Sequence, residues 1–464
     1  MVWMTKGSGR TCRRRYLGLF FAALCGLGTA PQAVSAQGLD LCGCEGLPSR
    51  GAFVSSDSAT FDQTGATQLD TNCGVTIGNL GSMIRIEFQV PEDGVLVFDS
   101  FVASNDDGTS CGTRNAAIVF QRPQSNAPVR ILVKGDLTLA SGDVIYVGGA
   151  AGSKGTAQLA GVGGEPGVGG FAGGEAAFLT GNLASLGGTG IGPGGGFGGD
   201  PSDPNAPVLA SGGTFFGVED LRPMIGGSGG GGGYSLPSTG CAGGGGGGGG
   251  GALQIVANGE IRIDGNIKAD GGASGQPGGS GCGGGAGGSG GSILLIADTI
   301  SGAGTLSADA GASTGGALVA ASEGRVRMEA VTNTFSGTAN RPVAIRVAAP
   351  GPAVAATTPT VVITHVAGAL TPQPPEYPQG FNREIDMIVS QPGVVTFSFE
   401  TREVPSGTDL AVAVKPTVGG DPIDGRVTLA ACGGGVCTAE VGIPLEPGAY
   451  IAEARATFEV PAVP

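Results

Sequence analysis

The sequence predicts an all-β protein: a right-handed parallel β-helix with glycine-rich loops, followed by a C-terminal immunoglobulin-like β-sandwich. Three stretches with the same order of short apolar runs and turns begin at Ile131, Leu253 and Ile293, and glycine tracts lie between them. Repeated units of this kind bury their apolar faces on their neighbours in a solenoid. After residue 360, short alternating strands separated by Pro and Gly turns are typical of a sandwich.

Composition divides the 464 residues into five regions. We expect a signal peptide at 1–36, a disulfide-pinned N-terminal β cap at 37–125, the glycine-rich β-helix at 126–338, a Pro/Ala linker at 339–360 and the sandwich at 361–464. The cap is expected because an open first coil would leave an unpaired strand edge.

The first 36 residues have the three parts of a secretory signal. The basic cluster Arg13-Arg14-Arg15 precedes an apolar stretch, and Val34-Ser35-Ala36 forms a small-residue cleavage site. We therefore expect a secreted protein, whether extracellular, at the cell surface or periplasmic. The three arginines also fit a twin-arginine export pattern, so the export route stays open. No later run reaches the ~20 apolar residues of a membrane span, and none is expected after cleavage.

The charge of the exported chain limits its partners. Removing five of the 24 basic residues with the signal leaves 19 against 38 acidic residues, a balance of −19. Such a chain repels phosphate backbones and anionic lipids, so nucleic acid is not an expected partner. Extracellular polysaccharides and surface proteins remain as partners, although excess acid also simply keeps an exported protein soluble.

The glycine bias is local, since residues 141–320 hold 63 of the 95 glycines. Such composition usually indicates a flexible linker or disorder. The apolar runs recur in register, however, and this favours ordered coils that carry long, mobile glycine loops on one edge. Gly243–Gly251 is an unbroken run of nine glycines. Because polyglycine loses the most entropy on ordering, we expect parts of these loops to be poorly ordered.

Eight cysteines follow the signal, and an even number in an exported chain favours disulfides. Cys241 lies twelve residues before the second repeat, and Cys282 lies eleven before the third. The two therefore hold matching places in successive units, where neighbouring coils are close enough for a disulfide. Cys432 and Cys437 flank a Gly-Gly-Gly-Val turn and are expected to staple a hairpin end.

The remaining four cysteines lie in the N-terminal region. Cys42 and Cys44 are separated by one residue, which is too close for comfortable pairing with each other. We therefore expect them to pair with Cys73 and Cys111 in one of two connectivities. A zinc site made from these four residues is the alternative, although the spacing lacks the usual knuckles.

Candidate ion-binding and catalytic residues are few. Asp106 and Asp107 in an Asn-Asp-Asp-Gly segment, and Asp270 and Asp309 at equivalent ends of two repeats, are weak calcium candidates. The alternative is that these aspartates only form turns. His365 is the sole histidine and lies in an apolar run, so it is expected to be a strand residue rather than a catalytic base.

One repeat carries an outward-facing charged stretch. Strand alternation turns Glu260, Arg262 and Asp264 outward, and Lys268 follows from the next run. Polysaccharide-cleaving β-helix enzymes cluster acidic and basic residues on one face, but no acid pair recurs here with the spacing that such chemistry needs. We expect no catalytic residue and no cofactor. A polysaccharide lyase or hydrolase is the alternative, for which a patch of Asp, Lys and Arg along successive coils would be the sign.

The phrases VRILVKGDLTL from Val129 and SGGSILLIADTISGAGTLSADAG from Ser289 resemble a group of exported, uncharacterised bacterial glycine-rich proteins. The segment GRVRMEAVTNTFSGT at 324–338 is similar to theirs too. The resemblance covers roughly residues 95–460, and the likeness to mycobacterial PE-PGRS chains is one of composition. It implies β-helix coils followed by a β-sandwich and no particular activity. Together these observations predict a non-enzymatic structural or adhesive protein.

Overall fold

The chain is all-β. The computed structural model describes residues 40–44, 46–57, 59–68, 75–76, 82–104, 115–123, 125–157, 159–177, 186–201, 207–236, 240–314, 317–339, 344–348, 350–351, 353, 360–371, 387–402, 404–416 and 423–457. The signal segment 1–36, Cys73, Cys111, Asp106 and Asp107 lie outside this part. Within it the only helix is α1 (Ala59–Thr64), and no helix is long and apolar enough to cross a membrane.

Seventeen strands up to residue 347 form two sheets of mainly parallel strands. In chain order they are β1 (Ala52–Val54), β2 (Ala66–Gln68), β3 (Val75–Thr76), β4 (Ser82–Gln89), β5 (Val95–Phe98), β6 (Ser100–Ala103), β7 (Ala116–Gln121), β8 (Val129–Val133), β9 (Leu137–Leu139), β10 (Val144–Tyr146), β11 (Ala252–Ile263), β12 (Asn266–Lys268), β13 (Ser292–Ser301), β14 (Thr305–Ser307), β15 (Arg325–Asn333), β16 (Thr338–Ala339) and β17 (Ile345–Val347).

The first sheet follows the order β1-β6-β9-β11-β13-β15-β17, with β5 and β8 beside it. The second follows β16-β14-β12-β10-β7-β4-β2, and only β2 and β3 pair antiparallel, both with β4. The repeats stack in register: Leu253 pairs with Ile293, and Ile293 with Val326. Ile131 pairs with Ile255, so the first unit is displaced by two residues from the alignment that starts it at Ile131.

The inward side chains of both sheets form one hydrophobic core. Its N-terminal end is aromatic: Phe53, Phe88, Phe98 and Phe101 are fully buried, with ring centroids 4.7–6.4 Å apart. Its later layers are aliphatic, with residues such as Ile255 contributed by each repeat. Alternation along each strand puts one face in this core, as the sequence pattern indicates.

The glycine tracts pack side by side as extended segments. Residues 241–251 are bonded to six surrounding segments: 147–153, 161–167, 168–174, 227–233, 272–278 and 283–289. The backbone hydrogen bonds measure 2.6–3.1 Å, and contacts to any one neighbour recur every third residue. Three residues per turn is the repeat of a polyproline II helix, which makes no internal hydrogen bonds and must bond to its neighbours. We call these seven segments the glycine bundle.

Packing on all sides explains why the central segment is glycine. A Cβ on Gly245, Gly246 or Gly247 would lie within 3.0 Å of a neighbouring carbonyl oxygen, closer than real Cβ atoms come. The whole run 243–251 is buried. The expectation that these glycines form a mobile loop is therefore wrong for this run. The hydrogen bonds to six neighbours offset the ordering entropy that motivated that expectation.

Three disulfides lie in the described part. Cys241 and Cys282 are joined at the start of two adjacent bundle segments, with Cα atoms 6.0 Å apart. Cys432 and Cys437 are joined across a hairpin, 4.0 Å apart. The prediction that Cys42 and Cys44 avoid each other is wrong in this structure, since their sulfurs are bonded. Gly43 between them has a φ of 59°, and this left-handed turn brings the two side chains to the same side.

The C-terminal region forms two antiparallel sheets that share one hydrophobic cluster. The short alternating strands expected after residue 360 are present. The strands are β18 (Thr360–Val366), β19 (Ala369–Leu370), β20 (Met387–Val389), β21 (Gly393–Arg402), β22 (Asp409–Pro416), β23 (Ile423–Thr428), β24 (Ala431–Gly433), β25 (Val436–Leu445) and β26 (Gly448–Thr457). The sheet orders are β19-β18-β21-β25-β24 and β20-β26-β22-β23.

The second of these sheets contacts the turn at Gly192. The buried Lys415 ammonium donates to the Gly192 carbonyl at 2.7 Å, and Glu453 accepts the Gly192 N–H at 2.8 Å. Lys415 and Glu453 are themselves 3.3 Å apart. Ile451 is buried beside Ile191 in the same contact. A charge pair thus holds the two polar backbone groups of a single turn residue.

Candidate functional site

The charged stretch on β11 is engaged with neighbouring residues. Arg262 donates to Asp264 at 2.7 Å, and this hydrogen bond lowers the pKa of Asp264. Asp264 also accepts the N–H of Ala303 on the next unit. Glu260 accepts a short hydrogen bond from Ser301. The carboxylates of Glu260 and Asp264 thus link adjacent units, which is a structural use of these charges.

Basic residues do not form a row along successive units. Arg262 has Thr138 and Ser301 as its strand partners on either side. In the second sheet, Lys268 has Tyr146 and Ser307. The pattern expected of a β-helix lyase or hydrolase, with Asp, Lys and Arg repeated along one face, is therefore not formed at these positions.

The calcium candidates Asp270 and Asp309 do lie side by side, as the repeat alignment suggests. Asp270 uses its carboxylate to accept the N–H of Asp309 at 2.9 Å. Among the described residues, the only group of three side chains with ligand atoms mutually within 4.8 Å is Asp40, Cys42 and Cys44, where the two sulfurs are bonded to each other. The contact at Asp270 is thus a carboxylate-to-backbone hydrogen bond between two units, and calcium binding there stays a prediction.

His365 lies on β18, where its strand partners are Ser398 and Leu370. It is half-buried and has no acidic partner among its strand neighbours. This placement agrees with a strand residue.

A mixed polar row runs across the second sheet. Tyr146, Lys268 and Ser307 are direct partners on β10, β12 and β14. Asp270 and Asp309 stand two residues beyond Lys268 and Ser307, just after β12 and β14 end. We call these five residues the Tyr146 row. It brings an aromatic ring, a cation, a hydroxyl and two carboxylates onto one outer face.

The aromatic ring of this row lies along the surface. A Cβ on Gly148 would meet the Tyr146 ring and hydroxyl at 2.8 Å, so only glycine lets the ring lie there. Tyr146 is half-buried and packs against the cluster of Met83, Ala117 and Val144. Burial and the neighbouring carboxylate of Asp270 raise the pKa of the Tyr146 hydroxyl. The phenol therefore stays protonated and able to donate a hydrogen bond at neutral pH.

The rest of the row offers hydrogen-bonding groups. Ser307 is buried, and its hydroxyl has no hydrogen-bond partner in the part of the chain that the structure describes. The ammonium of Lys268 is a donor and the carboxylate of Asp270 an acceptor. Sequence reasoning placed Lys268 on the outward-facing stretch and Asp270 at the end of a repeat but missed Tyr146 and Ser307. The alternation of each run contained the signal, because Tyr146 and Ser307 directly follow Ile145 and Leu306, which are buried.

A second polar cluster lies on the first sheet, and its carboxylate oxygens are occupied by hydrogen bonds within the protein. Arg222 donates to both carboxylate oxygens of the buried Glu329 at 2.8 Å. Arg327 also donates to this carboxylate at 2.6 Å, and the Gly351 N–H donates to it at 2.7 Å. Burial by itself raises the pKa of Glu329, but these hydrogen bonds outweigh it and lower the pKa to about 2. With its oxygens fully used, this cluster fastens two covering segments to β15.

Comparisons with known proteins found no relative of this chain. No protein-family model matches the chain, no curated protein matches it, and no solved structure matches it.

Proposed function

We propose that this protein is a secreted, non-enzymatic scaffold that adheres to extracellular material. Its parallel strands would be the coils of a right-handed parallel β-helix, and its C-terminal sheets an immunoglobulin-like sandwich that serves as a spacer or binding module. The adhesive surface would be the outer face of the second sheet.

The observation that carries this proposal is the glycine bundle. Nine consecutive glycines sit at its centre with no side chains to bind or react, and their hydrogen bonds to six neighbours give them a purely architectural role. A chain that devotes so many residues to backbone packing is suited to presenting a rigid surface. The Cys241–Cys282 disulfide supports this by fastening two bundle segments.

Export supports the location. The basic, apolar and small-residue parts of residues 1–36 are those of a signal peptide, and disulfides persist in oxidising compartments. Partners outside the cell are polysaccharides and surface proteins. The acidic balance of the chain makes nucleic acid a poor partner.

The proposal is tested by incubating the secreted protein with bacterial and plant polysaccharides and with intact bacterial cells. Both retention and the release of reducing or unsaturated sugar ends are recorded. We expect retention on at least one of these materials without product release. Release of products that disappears in the variants Arg262→Ala or Lys268→Ala would instead establish the lyase or hydrolase alternative and refute the scaffold proposal.

A further inference from the structure

We infer that the Tyr146 row is a binding site for a neutral polysaccharide. The inference rests on the proposed adhesive function and assigns it a surface and a ligand class. It requires side chains from three consecutive units to act together, and the strand register brings them together.

Register and alternation put these side chains on one face. Tyr146 pairs with Lys268, and Lys268 with Ser307, at successive parallel strands. The residue before each of them is fully buried in the core between the two sheets. Since strand side chains alternate, the row points away from that core. Neighbouring strands are ~4.8 Å apart, so the row spans about 10 Å, the length of two sugar rings.

Tyr146 supplies the apolar contact. Its ring lies over Gly148 and is half-buried. Aromatic side chains with a polar edge bind amphipathic partners, because the ring offers a face and the hydroxyl a hydrogen bond. The apolar face of a sugar ring is such a partner.

The remaining side chains match hydroxyl groups. A sugar hydroxyl both donates and accepts, so it can bond to the Lys268 ammonium and to the Asp270 carboxylate at the same time. Ser307 lies in the row, but its hydroxyl is buried beneath the surface, so the polymer contacts the other four side chains.

The charges of the row and of the whole chain favour a neutral polymer over an acidic one. The row contains one cation and two carboxylates, and the chain as a whole carries −14. An acidic polysaccharide would be repelled both at the row and at long range.

The surface next to the row lets a long chain continue. Ala151 and Ala312 are exposed, and Ala273 between them is half-buried. The three segments that carry them are hydrogen-bonded side by side, through Gly152 to Ala273 and through Ser274 to Ala312. These small side chains leave a low surface beyond the aspartates, along which a polymer would continue.

The test measures binding of the intact secreted protein to neutral polymers (cellulose, chitin, a β-1,3-glucan, a mannan) and to acidic ones (polygalacturonate, alginate), with Ca²⁺ and with EDTA. Variants are Tyr146→Ala, Tyr146→Phe, Lys268→Ala and Asp270→Asn. Arg262→Ala, an exposed change on the other sheet, is the matched control. Thermal unfolding of each variant verifies that it is folded.

We expect EDTA-insensitive retention on a neutral polymer. Tyr146→Ala should weaken the dissociation constant at least tenfold, Tyr146→Phe about twofold or less, and Asp270→Asn by several fold. Retention that Tyr146→Ala and Arg262→Ala leave equally unchanged would refute this site but leave the adhesive proposal standing. Binding only to acidic polymers, or only with Ca²⁺, would refute the ligand class. Retention on cells but on no polymer would refute the site and point to a protein partner.

Discussion

The carbonyl oxygen of Gly272 occupies the space that a Cβ on residue 247 would need. The two residues belong to adjacent segments of the glycine bundle, and Gly272 is also bonded through its N–H to Gly248. The approach of the two backbones thus depends on the absence of a side chain. Collagen uses glycine for the same reason at its crowded axis, but there only every third position is restricted.

Gly247→Ala should therefore destabilise the protein strongly. Neither neighbouring backbone can move without breaking its own hydrogen bonds, so we expect a loss of at least about 2 kcal/mol in the free energy of unfolding. Thermal unfolding and limited proteolysis measure this loss. Gly279→Ala is the matched control, because a Cβ there meets only Cys241 at an ordinary 3.4 Å. Equal melting temperatures for the two variants would refute the close-packed bundle.

Loss of the Cys241–Cys282 bond should cost more than loss of the Cys432–Cys437 bond. The first closes 41 residues and the second five. The chain-entropy estimate gives about 4 and about 2 kcal/mol, and the first value falls if the bundle persists in the unfolded ensemble. Denaturant unfolding of the two double Cys→Ser variants compares them, and peptide mapping without reduction verifies each bond. A larger effect of the short loop would contradict the expectation.

Glu329→Gln should remove the loss of stability that protonation of Glu329 causes at acid pH. The folded-state pKa of Glu329 is about 2, below its ordinary value of 4.5, so its contribution is present above pH 4.5 and lost as the pH falls to 2. Breaking such a buried pair costs about 3–5 kcal/mol at neutral pH. Glu400→Gln is the control, since its pair with Arg402 is exposed and should contribute below about 1 kcal/mol. Unfolding at several pH values distinguishes the two, and indistinguishable variants would contradict the proposed cluster.

Asp143 should change stability with pH in the opposite direction to Glu329. It is fully buried, and burial raises its pKa to about 6 although it accepts the Ala116 N–H. Because the folded state binds the proton more tightly, stability falls as the pH rises from about 4 to 6, by at most about 3 kcal/mol. Asp143→Asn keeps the acceptor for Ala116 and should abolish this decline. A wild-type profile that is flat over this window, or a variant that keeps the slope, would contradict the expectation.

Lys415→Met should loosen the contact between the C-terminal sheets and the turn at Gly192. The methionine keeps the apolar stem but loses the donor to the Gly192 carbonyl, and it leaves Glu453 without its cation. We expect faster proteolytic separation of the two regions and little change within either one. Lys134→Met, at an exposed pair with Asp99, is the control. Unchanged cleavage relative to this control would mean that the contact contributes little.

The sequence by itself determined the all-β class and the position of most strands. Alternation at runs such as Val394–Glu400 fixes which side chains can be buried, and the repeats at Leu253 and Ile293 imply the register that the structure has. The spacing of Cys241 and Cys282 indicated their bond for the same reason. These features depend on local periodicity, which a sequence records directly.

Only the tertiary structure decided what the glycines do and which side chains meet. A run of nine glycines has no periodicity, so nothing in it distinguishes a loop from the centre of a bundle. Its six neighbours are separate segments spread between residues 147 and 289. The two-residue displacement of the first repeat and the turn at Gly43 likewise follow from three-dimensional packing. The Tyr146 row required the same information, because its residues are about 120 and 40 positions apart and become neighbours only through strand pairing.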